Sequence, residues 1–176
     1  MAFITNFQSP FELDELRERF EDDGATNIDY ILRGGETLGD WTVDKDCLIG
    51  DTVFFMCAKT SIDHIGHVCA EARKNEARRL FEFAERERAL YKRYAGSIMA
   101  IGKVSSEPYE SDSGYKHAHW RNPWYATIGS FRLLQAPVHI DQFRDFITIN
   151  TFGAITKLDI QQTAKLLDLV AFCNVR

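Results

Sequence analysis

Several features that would classify a protein quickly are missing from this chain of 176 residues. Its four cysteines are unevenly spaced and include no CxxC pair, so buried reduced thiols are expected rather than a disulfide framework or a cysteine zinc site. No stretch approaches the roughly 18 apolar residues of a membrane-spanning helix. Residues 1–6 lack the basic and apolar regions of a signal peptide. We therefore expect a cytoplasmic protein with no membrane partner.

Signatures of catalysis and of cofactor binding are missing as well. The sequence contains no GxSxG, no phosphate-binding loop, no GxGxxG and no HExxH. His64 and His67 lie near cysteines, and His117 and His119 lie close together, but neither group has the ligand pairs of a structural zinc site. The sequence thus predicts no catalytic residue, no metal and no cofactor, and it favours a function other than catalysis.

Positive charge is scarce, with 21 Lys and Arg against 26 Asp and Glu and a net charge of −5. A protein that coats nucleic-acid phosphates is usually basic, so any contact with nucleic acid is expected to be local. Residues 71–93 are the exception, with eight basic and five acidic side chains. The candidates for phosphate contact in this segment are Arg78, Arg79, Lys92 and Arg93. The alternative interpretation is a solvated helix face with ion pairs of its own.

Short apolar runs rich in β-branched and aromatic residues predict the core strands. Residues 51–56 and 96–104 are too short for helices and follow turn residues, so they predict two buried strands. Gly102 within the second run suggests a bulge or a sharp bend. Residues 124–134 predict a third strand, and residues 28–32 predict a short strand or turn.

Helical patterns surround these runs. Ser9, Pro10 and Glu12 have the order of a helix start, with Ser9 as the cap. Residues 70–94 are rich in Ala, Glu, Arg and Leu and predict one long charged helix. Asp159 is expected to cap a last helix that buries Ala164, Leu167 and Val170.

The expected fold is α+β, with a small β-barrel decorated with helices. We expect a single domain over residues 1–176, with residues 1–40 as an N-terminal extension that packs on the barrel.

The order of these elements resembles the PUA-like superfamily, and within it the EVE-type domains related to YTH and ASCH domains. The resemblance covers about residues 41–170. It is carried by Trp41 ahead of GDTVFF (50–55), and then by YAGSIMAIGKV (94–104), WYATI (124–128), LQAPV (134–138) and GAITKLD (153–159). The resemblance implies a PUA-like barrel that binds DNA or RNA and recognises a modified or flipped base in an aromatic pocket.

The candidate pocket lies between the strand of residues 96–104 and the loop that leads into Trp124. Aromatic faces stack on unpaired bases, and donors and acceptors read the base edge. The candidate ligand-binding residues are Trp41, Ser97, Ile98, Trp120, Arg121, Asn122, Trp124 and Tyr125. Core packing is the alternative for Trp41 and Trp124, whereas Trp120 lies in a polar stretch and is the better functional candidate.

A second hypothesis belongs to a different class. The charged helix of residues 70–94 could dock a protein partner or a second copy of the chain, which would make the protein an interaction domain or a homo-oligomer.

Overall fold

The computed structural model describes residues 1–22, 24–75, 78–111, 122–150 and 154–174, without the side chain of Asn75. The chain divides into two compact units. The first contains Met1–Asn6, Gly34–Met56 and Ile98–Arg176, and the second contains Phe7–Arg33 and Cys57–Ser97. Among the described helices, none combines the length and the apolar composition needed to cross a membrane.

One sheet contains the described strands, and most of it belongs to the first unit. The strands are β1 (Ala2–Phe7), β2 (Leu38–Thr42), β3 (Thr52–Cys57), β4 (Ser97–Val104), β5 (Tyr109–Glu110), β6 (Trp124–His139) and β7 (Ile155–Leu158). Their order is β2-β6-β4-β3-β1-β7, and β5 pairs with β6. The β1–β7, β2–β6, β3–β4 and β5–β6 pairs are antiparallel. The predicted core strands are therefore present.

The sheet curls until β2, at one end of the strand order, reaches β1 and β7 at the other. The Thr5 hydroxyl donates to the carbonyl of Thr42 at 3.2 Å and accepts from Trp41 Nε1 at 3.2 Å. Lys157 Nζ lies 3.0 Å from the carboxylate of Asp44. Side-chain bonds thus connect the two ends into a barrel-like shape. The predicted α+β fold with a small, helix-decorated, barrel-like sheet is confirmed.

Both faces of the curled sheet are covered by apolar side chains. On one face the Phe55 ring meets Trp41 and Phe131 edge-on, at centroid distances of 5.4 and 5.2 Å. The other face carries Phe54 and its cross-strand partner Ile101, which share a core cluster with the helix that follows β7. This two-sided burial explains why β3 and β4 are almost continuously apolar.

Gly102 lies where β4 passes very close to β6. A Cβ built on Gly102 would be 2.5 Å from Ile128 Cγ2 and 3.3 Å from the carbonyl oxygen of Gly129. The register shift in the β3–β4 pair falls instead between Phe55 and Met56. Gly102 is therefore required by a close approach between strands, and the bulge predicted at that position lies elsewhere in the strand.

The last helix, α5 (Ile160–Asn174), begins as predicted. Asp159 Oδ1 accepts from the backbone nitrogen of Gln162 at 2.7 Å, and the Gln162 side chain accepts in return from the nitrogen of Asp159 at 3.0 Å. The buried residues are Leu166 and Val170, one helical turn apart. Val170 is buried as predicted, but Ala164 and Leu167 are exposed, because the buried face of α5 runs through Leu166 and Val170.

The described residues of the second unit form four helices: α1 (Leu13–Asp22), α2 (Asn27–Arg33), α3 (Ser61–Asn75) and α4 (Arg78–Tyr94). Ser9 does not cap α1, because its backbone nitrogen and its hydroxyl both bond to Ser61, at 3.2 and 3.0 Å. Residues 28–32 form part of α2 rather than a strand. Ile28 and Ile31 are one turn apart and fully buried, so tertiary packing decides the conformation of this apolar run.

The single charged helix predicted over residues 70–94 is observed as parts of two helices. Helix α3 ends at Asn75, α4 begins at Arg78, and the two helices pack against each other. Val68 and Ala72 on α3 are buried, as are Leu80 and Ala84 on α4. Each helix therefore has an apolar face that the other helix can bury. One straight, exposed helix would leave these apolar faces in water.

Candidate nucleic-acid interface

Two tyrosines lie side by side on the outer surface of the first unit. Tyr125 on β6 pairs in register with Tyr109 on β5, and their ring centroids are 6.4 Å apart. Side chains alternate between the two faces of a strand. Ala126 and Ile128 of β6 are fully buried, so the side chain of Tyr125, which alternates with them, points outward. Tyr109 is 41% exposed. We call these two rings and the nearby carboxylate of Asp40 the tyrosine patch.

Asp40 places a hydrogen-bond acceptor next to Tyr109. The Tyr109 hydroxyl donates to the Asp40 carboxylate, and this bond is the main reason that the pKa of Tyr109 is raised to about 12. The φ of Asp40 is +37°, a left-handed conformation that is costly for a residue other than glycine. The carboxylate has further lone pairs that can accept hydrogen bonds near the Tyr109 hydroxyl, so the patch can both stack on a planar group and accept a hydrogen bond.

Asn122 and Trp124 lie at the start of β6. The Asn122 amide donates to the carbonyl of Val43 at 2.9 Å and accepts from the nitrogen of Trp124 at 3.1 Å. Both ends of this amide are thus bonded to the backbone, which positions β6 against the residue that follows β2. Trp124 is half-buried and pairs with Glu110 of β5, next to the Tyr109–Tyr125 pair.

The other predicted ligand-binding residues that the structure describes do not lie in the tyrosine patch. Trp41 is half-buried, with its ring against Phe55 and its Nε1 bonded to Thr5, so it contributes to the packing inside the curled sheet. Ser97 and Ile98 are buried. Trp120 and Arg121 lie outside the described residues. Sequence reasoning missed Tyr109 and Asp40, because their proximity to Tyr125 depends on strand pairing.

The four basic candidates on α4 share its solvent side. Arg78, Arg79, Lys92 and Arg93 are all exposed. Arg78 forms an ion pair with Glu82 at 2.6 Å, and the Arg93 guanidinium lies 5.2 Å from the centroid of the Tyr94 ring. Within the described part of the chain, Arg79 and Lys92 have no acidic partner. The face thus offers cations, although part of its charge is neutralised locally.

The buried cysteine thiols are not suited to act as nucleophiles. Cys47, Cys57 and Cys69 are buried and unpaired. Burial raises the pKa of Cys47 to about 11 and those of Cys57 and Cys69 to about 12, which keeps them protonated and unreactive. The described ranges also contain no cluster of three or more side chains that could hold a metal ion.

The fold and the surface define an α+β protein with an outward tyrosine patch on a curled sheet. No family model matches the sequence, and no curated protein matches it. Among solved structures, the chain is similar to ASCH from Zymomonas mobilis, with 9% sequence identity and a TM-score of 0.39. The alignment covers 96% of this chain and 94% of that one. A TM-score at this level carries no functional conclusion, and the EVE-type assignment stays a prediction.

Proposed function

We propose that this protein is a non-enzymatic nucleic-acid-binding module that stacks an unpaired or flipped base on the tyrosine patch. The observation that carries the proposal is the pair of outward rings, Tyr109 and Tyr125, on adjacent strands beside the carboxylate of Asp40. The resemblance of the sequence to PUA-like domains implies the same class of function. RNA and DNA both present the base face that such a patch binds.

An unpaired base suits this patch better than a duplex does. The faces of paired bases are covered by their neighbours in the stack, whereas a splayed base can lie on an aromatic ring. Stacking on an aromatic side chain contributes roughly 1–3 kcal/mol per base. The Asp40 carboxylate would accept a hydrogen bond from an exocyclic amino group of adenine, cytosine or guanine, or from the ring N–H of uracil or thymine. A modified base that keeps an amino donor fits the same arrangement.

We also propose phosphate contacts on the exposed side of α4, which belongs to the second unit, through Arg78, Arg79, Lys92 and Arg93. The net charge of −5 makes a broad electrostatic surface unfavourable. Few phosphates would then be neutralised, and the affinity should fall only modestly as salt is raised.

Removing the Tyr125 ring should weaken binding to a single-stranded oligonucleotide by roughly 5- to 150-fold, which corresponds to about 1–3 kcal/mol of lost stacking. Tyr125→Phe keeps the ring and should bind like wild type, while Tyr125→Ala should not. Fluorescence anisotropy with labelled RNA, DNA and duplex probes measures these affinities. Phe172→Ala is the matched control, because Phe172 is an 83% exposed ring on α5. Equal affinities of wild type and Tyr125→Ala would contradict the proposal.

An interaction domain that self-associates is the second candidate. The sequence suggests the charged segment 70–94 as the docking element, and the structure adds two exposed apolar side chains on α5. Ile160 and Phe172 on that helix are 89% and 83% exposed, and an interface that covered Phe172 would remove its apolar surface from water. Light scattering after size exclusion should then show a dimer that Phe172→Asp converts to a monomer. A strict monomer at high protein concentration would exclude this candidate.

A further inference from the structure

A groove of about 640 Å³ runs between α3 and α4 in the second unit. Its volume lies within the range of pockets that bind small molecules. The residues that line it include Arg73 and Lys74 from α3, and Phe81, Glu85 and Arg88 from α4. The lining of the groove therefore includes three cations and one aromatic ring.

The balance of charge in the groove is positive. Among the described lining residues the one carboxylate is that of Glu85, which accepts from Arg88 Nη1 at 3.2 Å. Neither Arg73 nor Lys74 has an acidic partner within the ranges that the structure describes. Both side chains are exposed, so they can turn toward a bound anion.

Arg88 adds a donor that lacks a partner. Its Nε is shielded from solvent and has no hydrogen-bond acceptor among the described residues. A donor left without an acceptor costs about 1–3 kcal/mol, so a turn of the Arg88 side chain that brought this N–H to an anion in the groove would be favoured. Guanidinium groups match the geometry of phosphate oxygens, which accept two parallel hydrogen bonds.

We propose that this groove binds a small phosphorylated molecule that carries a planar ring. The phosphate is held by Arg73, Lys74 and Arg88, and the ring lies against Phe81. The half-buried Phe81 ring supplies the apolar contact that an inorganic anion would not use. This site is independent of the tyrosine patch, which belongs to the first unit, so either site can bind if the other does not.

Isothermal titration of the full chain with adenosine monophosphate tests the site. Wild type should bind the nucleotide, whereas adenosine and inorganic phosphate should each bind about tenfold more weakly or worse, because each lacks one half of the contacts. Arg73→Glu with Lys74→Glu should weaken the nucleotide by about tenfold or more. Lys45→Glu with Lys103→Glu makes the same change in charge at two exposed lysines of the first unit and should have no effect.

A neutral blocking variant separates the groove from general electrostatics. A Cβ at Gly66, which also lines the groove, would meet open space, and Gly66 lies inside α3, where leucine is a better helix former than glycine. Gly66→Leu should therefore narrow the groove and weaken nucleotide binding without lowering the urea midpoint.

Three results would overturn the site. These are no binding of adenosine monophosphate by wild type, equal binding of the nucleotide and inorganic phosphate, or unchanged binding in Gly66→Leu and in the charge-reversal variant. Titration with an oligonucleotide distinguishes this failure from failure of the tyrosine patch. If wild type binds the oligonucleotide but not adenosine monophosphate, the groove is rejected. If wild type binds adenosine monophosphate but not the oligonucleotide, the tyrosine patch is rejected.

Discussion

Gly102→Ala should lower the free energy of unfolding by about 1–3 kcal/mol, the usual cost of forcing an extra methyl group into a filled core. The added Cβ would lie 2.5 Å from Ile128 Cγ2, well inside van der Waals contact. Ile128 is β-branched and fully buried, so its methyl group cannot rotate away easily. The backbone oxygen of Gly129, at 3.3 Å, prevents a shift of the whole strand.

Urea denaturation followed by tryptophan fluorescence measures this change, because Trp41 and Trp124 both belong to the first unit. Gly66→Ala is the matched control, since its Cβ meets open space inside a helix and should add about 0.5–1 kcal/mol. Far-UV circular dichroism reports on that helical unit. Ile128→Ala should make the Gly102→Ala change less costly, since it removes the clashing methyl group. A Gly102→Ala protein as stable as wild type would show that β4 and β6 leave room for a methyl group at Gly102.

The buried carboxyl group of Glu87 should make stability fall as pH rises from about 4.5 to 7. Glu87 is fully buried, its Oε2 accepts from the Thr26 hydroxyl at 2.6 Å, and its Oε1 accepts from Arg86 Nε at 3.0 Å. Burial, followed by a hydrogen bond with the Asp29 carboxyl, raises the pKa of Glu87 from 4.5 to about 7. The folded protein therefore holds this proton more tightly than the unfolded chain does.

The sign of the pH dependence follows from that difference. The stabilisation is complete below pH 4.5, where both states are protonated, and is lost as pH rises through 7. The loss from this one group is on the order of 2–3 kcal/mol. The difference between wild type and Glu87→Gln isolates the contribution of Glu87. The glutamine amide does not titrate, and the histidines contribute equally to both proteins.

Urea midpoints across this pH range therefore test Glu87. The midpoint of Glu87→Gln should fall less steeply than that of wild type between pH 4.5 and 7.5. Glu82→Gln, at a 56% exposed carboxylate on the same helix, should keep the wild-type slope. Identical slopes in wild type and Glu87→Gln would show that folding does not raise the pKa of Glu87.

Much of the scaffold could be predicted from the sequence, because local patterns determine it. The runs 51–56 and 96–104 are apolar on both sides, and this is typical of strands buried on both faces. The start of α5 was also predictable, since Asp159 and Gln162 supply both halves of the capping box. These features depend on residues close together in the chain.

The errors arise where distant contacts decide the outcome. Ser9 has the sequence context of a helix cap, but Ser61 binds it 52 residues away. Ile28 and Ile31 suit a strand equally well until the rest of the second unit buries them in a helix. The segment 70–94 looks like one helix because each half is helical, and only packing reveals two.

The candidate site shows the same division. Trp124 and Tyr125 could be selected as aromatic residues beside a polar loop. Tyr109 and Asp40 could not be added, because strand pairing brings them to Tyr125 from 16 and 85 positions away along the chain. Trp41 was ambiguous, since a tryptophan near a predicted pocket can line the pocket or fill the core, and its contacts with Phe55 and Thr5 are those of a packed residue.

Ultraviolet cross-linking of a single-stranded oligonucleotide to the full chain, with mass spectrometry of the cross-linked peptides, tests the proposed function most directly. Stacked bases cross-link to the rings they contact, so the account predicts cross-links at Tyr109 or Tyr125 and their loss when an unlabelled single strand competes. Duplex of the same sequence should cross-link far less. Cross-links confined to other parts of the chain, or none at a concentration that saturates binding, would contradict the account.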